Sequence, residues 1–229
     1  MIDLAEIARG ISVWALPVLF AITFHEAAHG WMAERLGDDT ARQQGRVSFN
    51  PLVHVDRFGT IVLPAILLLV GSPFLFGYAK PVPVAFHRLH NPKQDMIWVA
   101  LAGPGINILM ALAAAILMQL IGQLQANGIT LWVWENLRNA ILVNVVLACF
   151  NMLPIPPLDG GRVVTGLLPR PYAWKYAQIE RYGLLIVLGL AIIVPMIGEQ
   201  LGQSWNPLSW VLLPMVEAVH TAVLRLTGW

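Results

Sequence analysis

"GISVWALPVLFAITFHEAAH", residues 10–29, begins as an uncharged apolar run and ends on two histidines and a glutamate. No Asp, Glu, Lys or Arg lies between Gly10 and His25, which suits a helix crossing a bilayer core of about 20 apolar residues. Ionisable side chains at that depth cost roughly 2.5–3.5 kcal/mol each on insertion scales, so His25, Glu26 and His29 need a compensating partner.

The rest of the chain repeats the apolar pattern. Of its 229 residues, 57% are hydrophobic and 12% charged, with mean hydropathy +0.66, against about 25% charged residues in an ordinary soluble domain. Further charge-free stretches run from Phe58 to Ala79, Met96 to Trp134, Asn139 to Leu158 and Tyr182 to Gly198, and a sixth, Gln200 to Val216, is interrupted by prolines. The expectation is an all-α polytopic membrane protein of about five or six transmembrane helices, with apolar segments near 10–33, 96–121, 139–153, 182–198 and 208–226. Residues 1–229 are read as one domain, because no loop is long enough for a second. The N-terminus, Met-Ile-Asp-Leu-Ala-Glu, has no basic region before the apolar run, so residues 10–33 are expected to be a retained helix and not a removed signal.

The formal net charge is +1, and no basic run or basic-aromatic patch marks a nucleic-acid surface. Cys149 is the single cysteine, which excludes an intrachain disulfide and a cysteine-based zinc site.

Basic residues set a sidedness. Arg35, Arg42, Arg46 and Arg57, then Lys80, Arg88 and Lys93, then Arg162, Arg170, Lys175 and Arg181 fall in three segments that the positive-inside rule places in the cytoplasm. The N-terminus is then outside. Because segments 34–57 and 80–95 share a side, a single crossing by 58–79 is forbidden by parity. Pro64, Gly71, Ser72, Pro73 and Gly77 punctuate that stretch, so it is expected to be re-entrant or tightly bent. Irregular backbone at membrane depth is tolerable where protein covers it or where it lines a wet cavity.

His25 and His29 are four residues apart, hence about 40° offset on one helix face, and both imidazoles can reach one ion. Glu26 lies about 100° round from His25, close enough to touch a water beside that ion without being a ligand. This H-E-x-x-H arrangement is that of zinc hydrolases, with the glutamate as general base. Catalytic zinc takes three protein ligands, and one Zn²⁺ per chain is expected. The best third candidate is Asp159 in "NMLPIPPLDGGRV", 151–163, where Pro154, Pro156 and Pro157 end the preceding helix. The histidines lie six to ten residues before Arg35, about 9–15 Å inside the cytoplasmic helix end. Helix 139–153 runs from outside to inside by the same charge reading, which brings Asp159 to that side.

HEAAH at 25–29, AGPGIN at 102–107 and FNMLPIPPLDGG at 150–161, in this order, resemble the site-2 protease family of intramembrane metalloproteases (peptidase family M50). NPLVHVDRFGTIVLP at 50–64 followed by AKPVPV at 79–84 resembles its compact bacterial and archaeal branch, which implies a prokaryotic plasma membrane. The resemblance implies His25, His29 and Asp159 as zinc ligands, Glu26 as base, and cleavage of a peptide bond in the transmembrane segment of a membrane-protein substrate. It implies further that Asn151 helps to hold the substrate strand and that Asn107 supports the core. Many members carry a PDZ insertion or a terminal CBS domain, and neither is recognisable in this sequence.

Unwinding of the substrate invites pairing with a strand edge, so short strands near the site are expected from RVSFNPL or KPVPVAF. His54, with Asp56 close by, is either an additional metal ligand or oxyanion donor, or a hydrogen-bonded loop histidine. His87 and His90 read as solvated interfacial residues. Two rival functions are a membrane metal-ion transporter and an inactive relative that binds membrane proteins without cutting them. A transporter has no need of a glutamate beside the first ligand.

Overall fold

The computed structural model describes residues 4–69 and 79–229. Ten helices appear among them: α1 Leu4–Arg35, α2 Thr40–Gln43, α3 Leu63–Leu69, α4 Pro92–Gly122, α5 Gly128–Asn151, α6 Asp159–Leu167, α7 Arg170–Ala177, α8 Gly183–Leu188, α9 Val194–Gln200 and α10 Pro207–Leu226. Five spans are long and apolar enough to cross a membrane: Ala8–Arg35, Pro92–Gly122, Gly128–Asn151, Arg170–Gln200 and Pro207–Leu226. The all-α polytopic expectation holds, and the protein is a multi-pass membrane protein.

Helices α1, α4 and α5 pack mutually at the centre, α10 leans on α4 and α5, and α6 lies against α4. Where these helices meet, the residues are small. Ala111, Ala114 and Ala115 of α4 are buried against Ile141, Val145 and Cys149 of α5 and Val223 of α10. Lipid is as apolar as a side chain, so close backbone approach and interhelical hydrogen bonds hold such a bundle together. Asparagines supply the bonds: Asn139 donates to the Val13 carbonyl at 3.0 Å, and Asn107 donates to the Ala21 carbonyl at 3.2 Å and to Asn144 Oδ1 at 2.7 Å. All three asparagines are buried, and each bond is worth about 0.6–2 kcal/mol in a membrane. On the opposite faces Leu109, Ile116, Leu117 and Leu120 are exposed, as lipid-facing positions should be.

Helix α5 starts well before the apolar stretch that suggested it. Asn127 caps it, accepting from Ile129 N and Thr130 N, while Thr130 Oγ1 accepts from the Asn127 amide. Polar groups of this first part bond to α1: Glu135 pairs with Arg9 at 2.7 Å, and the Trp132 indole donates to Ser12 at 2.9 Å. Periodic hydrophobicity marks only the buried length of such a helix, and the cap marks its true start.

After α1 the chain turns back along it. Gly30 admits Ala41, Val47 and Val82 in close contact, and Phe49 stacks on Phe24 with centroids 4.6 Å apart. Pro51–His54 forms a short 3₁₀ turn and Arg57–Val62 a wide helical turn that leads into α3. Residues 70–78 of the expected re-entrant segment lie outside the described residues. Its flanks, however, adjoin, since the Lys80 amide donates to the His54 carbonyl at 2.9 Å.

The expected strands are absent among the described residues. Residues 79–85 form neither helix nor strand, because Pro81 and Pro83 have no amide hydrogen with which to build a ladder. We call residues 79–90 the strap. It is seated on α1 and α4 through Leu89, which is buried with Ala33 and Val99, and through Val84 and Phe86.

The start of the link between α1 and α2 fastens the strap. Asp38 is fully enclosed and accepts from Ala85 N at 2.6 Å, Thr40 N at 3.1 Å and the Thr40 hydroxyl. Burial acts to raise its carboxyl pKa, but these hydrogen bonds and the nearby Arg88 outweigh it and hold the group below its ordinary value. A depressed folded-state pKa gives stability that is present above the unfolded value, about 3.9, and lost as pH falls through the folded one. Asp38→Asn should therefore be less stable than the parent in thermal melts at neutral pH. That difference should shrink on acidification below the usual carboxylate range.

Candidate metal centre

His25 and His29 project from α1 toward the first residue of α6. Their Nε2 atoms are 3.1 Å apart, and Asp159 Oδ2 lies 3.2 Å from one and 3.3 Å from the other. All three side chains are buried, and one donor atom from each falls within 4.8 Å of the others.

Hydrogen bonding fixes the tautomers. Asn107 spends its amino group on Ala21 O and Asn144 Oδ1, so its Oδ1 accepts from His25 Nδ1 at 2.6 Å. Val99 O can only accept, so His29 Nδ1 donates to it at 2.7 Å. With each Nδ1 so committed, the Nε2 atoms are the ring nitrogens left to bind, and they converge with a carboxylate oxygen that has no other hydrogen-bond partner among the described residues. Three electron-pair donors facing one another repel unless a cation lies between them. Two imidazoles and a carboxylate are a zinc donor set, so the residues present fit the metal.

The local sequence explains the convergence. Gly103 faces both imidazoles: a Cβ there would sit 2.6 Å from His25 Cε1 and still closer to His29 Nε2, so α4 can pass behind the pair only as glycine. On the Asp159 side, a Cβ on Gly161 would lie 2.5 Å from Pro156 N, and Gly160 is similarly confined by the carbonyls of Met152 and Leu153. The Tyr176 hydroxyl donates to Pro154 O at 2.6 Å and tethers the same proline-rich loop. Thus the prolines end α5 and the glycines let α6 fold back, which leaves Asp159 aimed at α1.

Glu26 is half-buried beside the pair, and its Oε2 accepts from Val82 N at 2.8 Å. His54 lies outside the converging set: its Nε2 faces Ser48 O at 3.0 Å and its buried Nδ1 has no partner among the described residues. Asp56 Oδ1 caps the following turn through Phe58 N and Gly59 N at 3.0 and 2.6 Å. Asn151 donates to Leu147 O of its own helix at 3.0 Å and is partly accessible. Gly103, the Val99 carbonyl and the Val82 amide were not anticipated as site elements. Of these only Gly103 leaves a mark in the sequence, inside AGPGIN, since backbone groups have no side-chain signature.

Asn107 orients His25 and fixes its tautomer. Asn107→Leu should weaken zinc affinity by about 10–100-fold, measured by competition with a chelator, because an outer-shell partner is removed.

A buried two-histidine, one-carboxylate centre with an adjacent glutamate, within a bundle of membrane-spanning helices, defines a membrane zinc hydrolase. Sequence comparison agrees and is more specific. The profile of Peptidase family M50 matches residues 122–194. YwhC of Bacillus subtilis, named as a zinc metalloprotease, is 34% identical over 92% of this chain and 89% of its own length. Rip2 of Mycolicibacterium smegmatis, so named too, is 27% identical over 76% of this chain and 64% of its own. MJ0611 of Methanocaldococcus jannaschii, likewise, is 28% identical over 72% and 74%. No solved structure gave a significant match. The chain belongs to peptidase family M50, the site-2 protease family, and is a membrane metalloprotease that uses Zn²⁺.

Proposed function

We propose that this metalloprotease hydrolyses peptide bonds within or beside the transmembrane segments of membrane-protein substrates. One observation carries the reading: His25 and His29 lie on a helix that is apolar enough to span, about 9–15 Å from its charged end at Arg35. A scissile bond must be brought to that depth.

His25, His29 and Asp159 would hold the zinc ion. When bound, zinc acts as a Lewis acid that activates water and stabilises the oxyanion of acyl transfer. Glu26 takes the proton of the attacking water on its free oxygen, while Val82 N holds the other oxygen. The same carboxyl group then delivers the proton to the leaving amine nitrogen. Asn151, which is partly accessible, contacts the substrate backbone by exchanging its bond to Leu147 O. His54 stays in reserve as a loop histidine near the strap.

A substrate helix has its amides satisfied internally and must unwind before attack. The strap is an asymmetric partner for an unwound substrate: Pro81 and Pro83 have no N–H to donate, while the Pro83 carbonyl can accept. Basic-residue distribution supports an outside N-terminus and a site reached from the cytoplasm of a prokaryotic plasma membrane.

The reading is tested with two labelled single-span substrates in proteoliposomes, one with a Gly-Pro pair at the depth of the site and one with uninterrupted leucine. The first should be cut markedly faster. Equal rates for both would remove unwinding from the account.

A further inference from the structure

We propose that Asp38 is a positioning residue for Glu26, acting through the strap that carries the Val82 amide. This rests on the reading of Glu26 as the base.

Val82 N–H is the one hydrogen bond to Glu26 described in the structure, and it comes from backbone with no helix or sheet of its own. The place of that amide depends on how the strap is held. Upstream of Val82, the Lys80 amide bonds His54 O at 2.9 Å, and the Arg46 guanidinium donates to the carbonyls of Lys80 and Pro81. Downstream, the fastening is the segment 36–40. Asp38 takes Ala85 N, Leu36 O takes His90 N at 2.9 Å, and Arg88 reaches Asp39 at 2.8 Å and the Thr40 hydroxyl at 3.1 Å. Gly37 has φ +109°, and a Cβ there would meet the His90 ring at 2.9 Å and Arg88 O at 3.1 Å, so the segment is shaped to the strap.

Between these two holds only two residues, Pro83 and Val84, separate Val82 from Ala85, and Pro83 stiffens the link. Of the downstream contacts, Asp38 is the one that is fully enclosed and that grips the strap backbone nearest to Val82. The exposed Arg88 pair is open to solvent screening and holds the strap further along. Loss of the Asp38 carboxylate frees Ala85 N and lets the Val82 amide leave Glu26. The carboxylate then samples orientations in which neither oxygen faces the attacking water. Misplacement of a catalytic group by about 1 Å can cost on the order of 10²-fold in rate. Zinc is held by other elements and is unaffected.

The test uses the full-length, zinc-loaded protein in detergent and compares Asp38→Ala, Asp38→Asn and, as a control in an exposed ion pair, Arg42→Gln. Amide hydrogen exchange in peptide 79–90, zinc per chain, and kcat and KM for a labelled single-span substrate are measured. Asp38→Ala should exchange the Val82 amide at least tenfold faster, with α4 and α5 protection and zinc unchanged. Its kcat should fall roughly ten- to hundredfold with KM within about twofold, the pattern of a lost transition-state contribution. Asp38→Asn keeps one acceptor oxygen and should fall between, and Arg42→Gln should match the parent. If Asp38→Ala loses protection throughout, Asp38→Asn reads the same quantities in a folded protein. Unchanged Val82 exchange, or faster exchange with unchanged kcat, overturns the proposal. Activity retained in Glu26→Gln would instead sink the base reading, while the exchange data would still report on the strap.

Discussion

Glu26→Gln should retain one zinc per chain and lose cleavage by about 10²–10⁴-fold, the range that a positioned general base contributes. The change is nearly isosteric, and the amide can still accept from Val82 N through its oxygen, so the strap stays in place. What disappears is the capacity to take a proton from water and return it to the leaving amine. None of the three converging donors is altered, so zinc content measured by atomic absorption should equal that of the parent. A mutant that cuts at the parental rate would remove Glu26 from the mechanism, and one that loses zinc would make Glu26 part of the metal-holding set.

Asp159→Ala has the opposite signature, with zinc and activity lost together. The substitution leaves two imidazoles and removes the only anion among the converging donors. The loss in zinc affinity should exceed the roughly 10–100-fold that removal of an outer hydrogen-bond partner costs. It should also exceed that of Asn107→Leu measured in the same competition assay. The fold should survive, because the loop before Asp159 is held independently by Tyr176 and by the packing of Gly160, Gly161 and Gly183. Zinc bound at parental affinity in Asp159→Ala would mean that another residue completes the site.

The amount legible in the sequence varied with the physics behind each feature. Spanning helices announce themselves by composition alone, so α1, α4 and α10 appear close to where apolar runs placed them. His25 and His29 were legible because spacing on a helix fixes their relative direction. Asp159 was legible because charge parity sends the end of α5 to the same side as the end of α1. The early start of α5 was not, since its first turns carry Trp132, Glu135 and Arg138 and are announced only by the cap at Asn127. The strand expectation near the site failed on Pro81 and Pro83, whose missing amides outweigh the alternating valines. The strap amide on Glu26 and the role of Asp38 depend on tertiary contact between distant segments, which no local pattern encodes. His54 was open in the sequence between a metal or oxyanion role and a hydrogen-bonded loop histidine, because residue type alone does not say what a histidine faces; its Nε2 faces Ser48 O.

The most direct measurement of the central claim is the position of the cut. Purified parent protein and Glu26→Gln, each loaded with zinc, are reconstituted with a single-span substrate, and the products are mapped by mass spectrometry. The account predicts a zinc-dependent cut inside the apolar span or at its edge by the parent, and no cut by the mutant. A cut confined to soluble loops of the substrate, or one insensitive to both zinc removal and Glu26→Gln, would contradict it.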